Sequence, residues 1–487
     1  MKLKNLFSNL YTTPRTLFFY FDVLLFLVAS AVSSLGFVMD NAAVLIAGTL
    51  LLALWFVAML WTLSPRTDVQ LAEKLPLLRR GALVIFIALF SVGILGVIAI
   101  GALVPAFGQN QSIPANLRQQ ITGMQRDYKY SDGAALAQQA VDNLFNGQNP
   151  YAHANIVQAF QKYPGSYDSV TALRAGTLAN VYPAPTDAEL KQAWDNAVQN
   201  PTQVPAEMVS KVAYPAGSFL LPAPFLYLGI PDIRIVYGIF FLAGLLYAVW
   251  LIPKNKRLIF IGFALISLEL WNTMAAGGEP ANLCFPLLLI AWVALNRNQW
   301  VSAFCMGLAA ATKQTVWFFL PFYLILAFQS MGLKKAALIA GVIAGVFIAV
   351  NLPFIIADPR LWLNSVLSPM TDPLFPVGSG VITLVTSGWL NIHTSTLFTT
   401  MEVTAFIVAA IWYFRNCLRY PTAGLIVALI PLFFAWRSLF SYFFYVDIIA
   451  MAYILVNKGN IQIPIDNNQV SSNIQFGNPK QIRISKA

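Results

Sequence analysis

Long apolar runs separated by short basic or polar stretches set the plan of this chain. A helix rising 1.5 Å per residue needs about 20 apolar residues to cross a hydrocarbon core about 30 Å thick. Residues 17–38, 42–63 and 82–106 meet that length cleanly, and 235–253 nearly so. Further runs at 258–272, 281–297, 299–312, 315–330, 336–357, 400–416, 421–436 and 439–456 extend the series. Residues 107–212 break it. They are polar, and their apolar positions recur with a helical period at 132–146, 152–162, 187–199 and 204–211, divided by Pro150, Pro164-Gly165 and Pro183/Pro185. The pattern predicts an all-α, polytopic transmembrane bundle of about 12–13 spans carrying a helical extracytoplasmic loop domain.

Residues 214–229 fit neither class. Their length is marginal for a span, and Pro215, Pro222 and Pro224 leave backbone carbonyls that need partners at membrane depth. A re-entrant or partly inserted helix is expected there. Basic residues orient the rest. Lys2, Lys4 and Arg15, then Arg66, Lys74, Arg79 and Arg80, and then the Lys254-Asn255-Lys256-Arg257 cluster mark cytoplasmic ends. Arg297, Lys334-Lys335 and Arg415/Arg419 fall on the same side. Both termini are therefore expected in the cytoplasm, and the loops at 273–280, 313–314, 358–380 and 437–438 on the side of the 107–212 domain. Three regions follow: 1–81 with two spans and a basic loop, 82–456 as the main module including the loop domain, and 457–487 as an Asn/Gln/Ser-rich disordered cytoplasmic tail.

Composition narrows the class. Only 10% of the 487 residues are charged, against about 25% in soluble domains, which points to a multi-pass membrane protein. The net charge of +10 is spread over short runs between apolar segments. It reads as the positive-inside bias, with no basic face for nucleic acid. Cys284, Cys305 and Cys417 lie in or beside apolar segments, which implies neither a disulfide framework nor a thiolate metal site. With His153 and His393 as the whole histidine complement, a His-rich metal site is excluded. No phosphate-binding glycine loop, GxGxxG, HExxH or GxSxG motif is present.

The expected topology gathers Asp127, Asp132, Glu279, Lys313, Asp358, Arg360, Asp372 and Arg437 on one face. Ionisable groups at membrane depth are costly and mark function by default. Lys313, between G-L-A-A-A-T and Q-T-V-W-F-F-L, suits an anion such as phosphate; its alternative is a lysine that snorkels to water. Arg437, in A-W-R-S-L-F, can fork onto phosphate or mark the interface beside Trp436. Asp132 suits a catalytic carboxylate or the N-cap of the helix that follows it. Asp22 and Asp447 lie within spans, where they suit ion or proton coupling in a transporter, or pairing with polar groups inside the bundle.

These motifs, taken in order, make the chain resemble the GT-C superfamily of membrane glycosyltransferases, in particular its bacterial multi-pass, mannosyltransferase-like members. The motifs are D-G-A-A-L and N-G-Q-N-P-Y at 132–151, Y-P-A-G-S-F-L-L-P-A-P at 214–224 and G-L-A-A-A-T-K-Q at 307–314. N-L-P-F with D-P at 351–359, F-P-V-G-S-G at 375–380 and R-S-L-F-S-Y-F at 437–443 complete the set. The resemblance runs through most of 82–456, with the first two spans as an N-terminal addition. It implies a hexosyl- or pentosyltransferase of the cell membrane. The donor would be a polyprenyl-phosphate sugar, and the acceptor an envelope glycolipid, polysaccharide or protein. It implies no cofactor, the lipid-linked sugar being a substrate; a divalent metal on carboxylates stays open, although no spacing supports one. An aspartate of the first large extracytoplasmic loop would be general base, which assigns Asp132, with Asp127 as the alternate. Lys313 and Arg437 would hold the donor phosphate, and Glu279, Tyr151, Tyr214 and His393 are substrate-binding candidates. One departure stands out: G-G-E-P-A-N at 277–282 replaces the polar Asn-Asp pair of related sequences, so that either Glu279 substitutes for the acid or its role is lost. The rival readings are a secondary transporter or flippase, and a non-catalytic membrane scaffold of the same fold.

Overall fold

The computed structural model describes residues 15–64, 66–67, 70, 129–267 and 278–457. The expected third span at 82–106, Asp127, Lys74, Arg79, Arg80, Gly277 and the tail beyond Asn457 lie outside the described residues.

Helices dominate. An N-terminal hairpin pairs α1 (Arg15–Val38) with α2 (Ala42–Leu63). Asn41 caps α2 by accepting from the Val44 amide at 3.2 Å. Gly48 allows the close approach of the two helices, because a Cβ there would lie 2.9 Å from the Ser33 backbone nitrogen. The loop domain holds α3 (Asp132–Phe145), α4 (Ile156–Lys162) and α5 (Asp187–Gln199). Among the described residues, eight longer helices build the bundle: α6 (Ile233–Leu251), α7 (Arg257–Ile266), α8 (Ala281–Ala294), α9 (Gln299–Ala310), α10 (Thr315–Met331), α11 (Leu333–Ala357), α12 (Thr396–Asn416) and α13 (Val446–Asn457).

Among the described residues, six helical segments are long and apolar enough to cross a membrane: Phe18–Phe37, Ala42–Leu63, Ile233–Leu251, Leu333–Ala357, Thr396–Asn416 and Phe440–Asn457. The other apolar runs among the described residues are shorter helices, or are broken. Residues 421–436 divide into Ala423–Val427 and Ile430–Phe433, where Pro431 starts a new turn. Burial separates two kinds of apolar helix. In α8 every residue except Ile290 is buried, between α6, α9 and α13, as an element apolar on all sides requires. In α12, Val403, Ile407, Val408 and Ile411 are exposed, as are Leu338, Ile348 and Ile356 of α11. Large contiguous apolar exposure of this kind suits contact with lipid, consistent with a membrane protein.

One local expectation changes. Residues 204–211 form no helix. Pro205 lacks an amide, and the segment instead lies beside 171–173, with the Leu173 amide donating to Glu207 at 2.8 Å and the Val209 amide to Thr171 at 2.9 Å. Residues 214–229 break into Gly217–Leu220 and Ala223–Tyr227. The freed backbone of this segment finds partners inside the protein. The Ala216 amide donates to the Asn351 side chain at 2.9 Å, and the Gly217 amide to the Ala311 carbonyl at 2.8 Å.

The loop domain shares its core with the bundle. Ala134, Val141, Ile156 and Phe160 belong to one buried cluster with Phe219, Tyr237, Leu283 and Phe354. This seam sets α3 directly over the ends of the apolar helices. The site lies beside it.

Candidate functional site

A cavity of about 830 Å³ opens between the loop domain and the bundle, well within the size range of small-molecule sites. Five of the eight charged residues expected on one face line it: Asp132, Glu279, Lys313, Asp372 and Arg437. Asp358 and Arg360 do not. Asp358 instead caps the helix Pro359–Val366, accepting from the Leu361 amide at 2.9 Å. Tyr214 and His393 line the cavity, whereas Tyr151 does not. Its ring is buried against Phe219 and Phe354, and its hydroxyl donates to the Tyr214 carbonyl at 2.9 Å. Tyr151 thus supports the wall from behind.

Asp132 is the first residue of α3; the N-cap is Ser131, whose side chain accepts from the Ala134 amide at 3.2 Å. That leaves the Asp132 carboxylate to other partners. One oxygen accepts from the Gly133 amide at 2.6 Å and the other from the Thr171 amide at 2.9 Å. Two backbone donors from different elements hold the carboxylate in place, and each oxygen keeps a lone pair for a further donor. Ser131 also donates to the Gly278 carbonyl. Gly278 has φ +72°, and a Cβ there would lie 2.6 Å from Arg234 Cγ. The glycine is therefore required for the turn that carries Glu279 to the cavity.

Glu279 meets Lys313, with a separation of 3.6 Å between Nζ and Oε2. The ammonium also lies 5.8 Å from the Tyr214 ring centroid and 5.9 Å from that of Tyr442. Burial opposes the charge on Lys313, yet Glu279 and the neighbouring tyrosines raise its pKa above the ordinary lysine value. The turn around it is clamped. Gln314 donates to the carbonyls of Ala213 at 2.7 Å and Val366 at 2.6 Å, and the Trp317 indole donates to Ala310 at 2.9 Å. Gly217 fits against this turn because a Cβ would lie 2.5 Å from the Ala311 carbonyl oxygen. For Tyr214, burial and the nearby Asp132 and Glu279 carboxylates outweigh Lys313 and raise the phenol pKa.

Arg437 is held differently. It belongs to β2 (Arg437–Ser438), which pairs in parallel with β1 (Val377–Gly378). The F-P-V-G-S-G motif exists for this ladder: Gly378 has φ +132°, and a Cβ there would overlap the Ser438 carbonyl. Trp436 fixes the approach by donating to the Leu374 carbonyl at 2.8 Å. Among the described residues the Arg437 guanidinium has no carboxylate or hydrogen-bond partner and faces the cavity.

Sequence reasoning missed four lining residues that matter. Lys211 pairs with Asp372 at 2.8 Å. Arg174 donates to the His393 carbonyl at 2.9 Å, and the His393 ring lies 4.0 Å from that of Tyr182. Ser131 bridges α3 to Gly278. Glu402 enters from α12, and a lone acid in an apolar run is the signal that could have found it. Away from these charges the wall turns apolar, with Trp317, Phe318, Val403, Phe406 and Leu432. The arrangement offers a fixed carboxylate, two cations suited to an anion, and an apolar trough beside them. Among the described residues no group of three or more His, Cys, Asp or Glu side chains is placed to hold a metal ion. In comparisons with known proteins, the chain matches no family model, no curated protein and no solved structure.

Proposed function

We propose that this chain is an integral-membrane glycosyltransferase of GT-C type. It would move a sugar from a polyprenyl-phosphate donor to an envelope glycolipid, polysaccharide or protein acceptor on the extracytoplasmic side. One observation carries the reading: Asp132, Lys313 and Arg437, far apart in sequence, line one cavity whose wall passes from charged to apolar. A lipid-linked phosphate needs such a boundary, with cations for the phosphate and an apolar trough for the prenyl chain.

The lining residues suit the following chemistry. Asp132 accepts the proton of an acceptor hydroxyl, and the oxygen attacks the anomeric carbon. The bond from that carbon to the phosphate oxygen breaks, and the lipid phosphate leaves with the electron pair. Lys313 and Arg437 stabilise the negative charge that gathers on it. Asp132 is suited to this task because two backbone amides fix its direction while leaving lone pairs free. The reading uses about twelve spans, with both termini in the cytoplasm and the basic clusters at 254–257 and 334–335 on that side.

The test is transfer of radiolabelled sugar from a panel of polyprenyl-phosphate sugars by purified protein. Asp132→Asn is expected to lower transfer by about 10²–10⁴-fold with donor binding retained. Unchanged transfer would remove Asp132 from the base role. Absence of transfer from every donor, together with solute flux in liposomes, would replace the enzyme by a transporter.

A further inference from the structure

A second set of ionisable groups lies outside the cavity. Asp22 is on α1 and Asp447 on α13, and these two helices pack together. Their exposures are 0% and 1%. Both Asp22 oxygens and Asp447 Oδ1 lack a hydrogen-bond partner. Among the described residues the donors beside them are neutral, the Thr62 hydroxyl at Asp22 and the Trp55 indole at Asp447. Thr62 Oγ1 and Trp55 Nε1 are themselves buried without a hydrogen bond. The Trp55 ring packs on Phe26 of α1, four residues after Asp22, at 5.2 Å and on Phe443, four residues before Asp447, at 6.4 Å, which brings the two carboxylates to one seam.

Among the described residues, no cation of the packed elements answers this pair. Arg15, on α1 itself, donates to the Leu63 carbonyl. Arg257 of α7 donates to the carbonyls of Ile252 and Trp250. Arg234 of α6 is bound to Asp232. The remaining titratable groups of α1, α6 and α8 are Tyr20, Tyr237, Tyr247 and Cys284, none of them a cation. Two ionised carboxylates sealed together in an apolar bundle repel one another and forfeit hydration, a state several kcal/mol too costly to hold.

We infer that Asp22 and Asp447 form a proton-binding pair inside the membrane-spanning bundle, occupied by at least one proton whenever the N-terminal hairpin is docked on α13. The proton comes from water and returns to water; no other reactant is needed. A proton suits the site better than a metal cation. A dehydrated metal ion needs about six oxygen ligands, whereas here an indole N–H faces Asp447 and one hydroxyl faces Asp22. The charged partner that a buried carboxylate ordinarily requires is replaced by occupancy with hydrogen, so hairpin docking and proton binding become linked equilibria.

The experiment is infrared difference spectroscopy of the full chain in nanodiscs at neutral pH, wild type against Asp22→Asn, Asp447→Asn and the double variant. The C=O stretch of a protonated carboxyl group, identified by its shift in D₂O, is read after exchange of sodium for choline. Loss of the protonated-carboxyl signal in the double variant, unaffected by sodium, is the expected result; each single variant keeps a protonated carboxyl on the remaining aspartate. A wild-type spectrum whose protonated-carboxyl band is unchanged in all three variants would overturn the inference, as would a band abolished by sodium. Asn is neutral and nearly isosteric, so the double variant stays folded under this inference. Should one single variant fail to fold, the other and the double variant still decide. Sugar transfer is not the readout, so the outcome is independent of the proposed enzyme activity.

Discussion

Lys313 and Arg437 are both cations on the wall of one cavity, yet the chain holds them in opposite ways. Lys313 is sunk in a turn whose neighbours are tied by side-chain hydrogen bonds to three carbonyls, and its charge already has Glu279 as a partner. Arg437 stands on a two-residue ladder, with no anion opposite it among the described residues. The difference separates two tasks that a list of basic residues would merge. A charge that is buried must be answered within the protein whether or not a ligand is present. A charge left open to a cavity is free to be answered by the ligand. Lys313 therefore belongs both to the fold and to the site, while Arg437 belongs to the site alone.

Substitutions can break this asymmetry in order of size. Glu279→Gln leaves the Lys313 ammonium, with 9% of its side chain exposed, without its carboxylate. It is expected to cost about 3 kcal/mol of stability, measured as a lowered denaturation midpoint. Lys313→Ala is expected to cost less, about 1–2 kcal/mol, because the Glu279 side chain keeps 34% exposure and can turn to water. The same variant should weaken binding of a polyprenyl-phosphate sugar in a direct binding assay; unchanged affinity would return Lys313 to a purely structural role. Arg437→Gln should leave the midpoint unmoved and weaken donor binding about tenfold, near 1.4 kcal/mol. A stability loss at Arg437 as large as that at Glu279 would erase the distinction.

The smallest effect is in alkali. Because the folded state holds the Lys313 proton more tightly than the unfolded chain does, its contribution to stability is fully present below the unfolded lysine value, about pH 10.4. It is lost as pH rises through the higher folded value. Wild-type stability should therefore fall above about pH 10 more steeply than that of Lys313→Ala, read from chemical unfolding at successive pH values. Equal slopes would mean that Glu279 does not hold the ammonium.

Much of the fold was legible because apolar run length and basic punctuation are one-dimensional signals. The runs at 17–38, 42–63 and 336–357 match α1, α2 and α11 within a few residues. Segment 204–211 misled because its apolar spacing suits a helix, while Pro205 and the demand of 171–173 for pairing partners decide otherwise. At the site, Lys313 and Arg437 stood out as lone charges in apolar text. Glu402 carries the same signal at the head of α12. Arg174 and Lys211 do not, for they sit in a polar domain where charge is ordinary and only folding brings them to the cavity. Tyr151 illustrates the converse. Its place in N-G-Q-N-P-Y suggested contact with substrate, but the ring is committed to Phe219 and Phe354, which no local pattern records.

The two cations come with a consequence for observation. Trp317 lies one helical turn beyond Lys313, and Trp436 immediately precedes Arg437; both indoles border the cavity. Each is anchored through its N–H, to Ala310 and Leu374 respectively, so neither ring is free to swing away when the cavity fills. Among the 12 tryptophans of the chain, these two are fixed fluorophores on the cavity wall, one at each charge, and the contribution of each is read as the difference from a variant that replaces it with phenylalanine. A ligand that spans the whole trough would alter the emission of both, and one that reaches a single charge would report which.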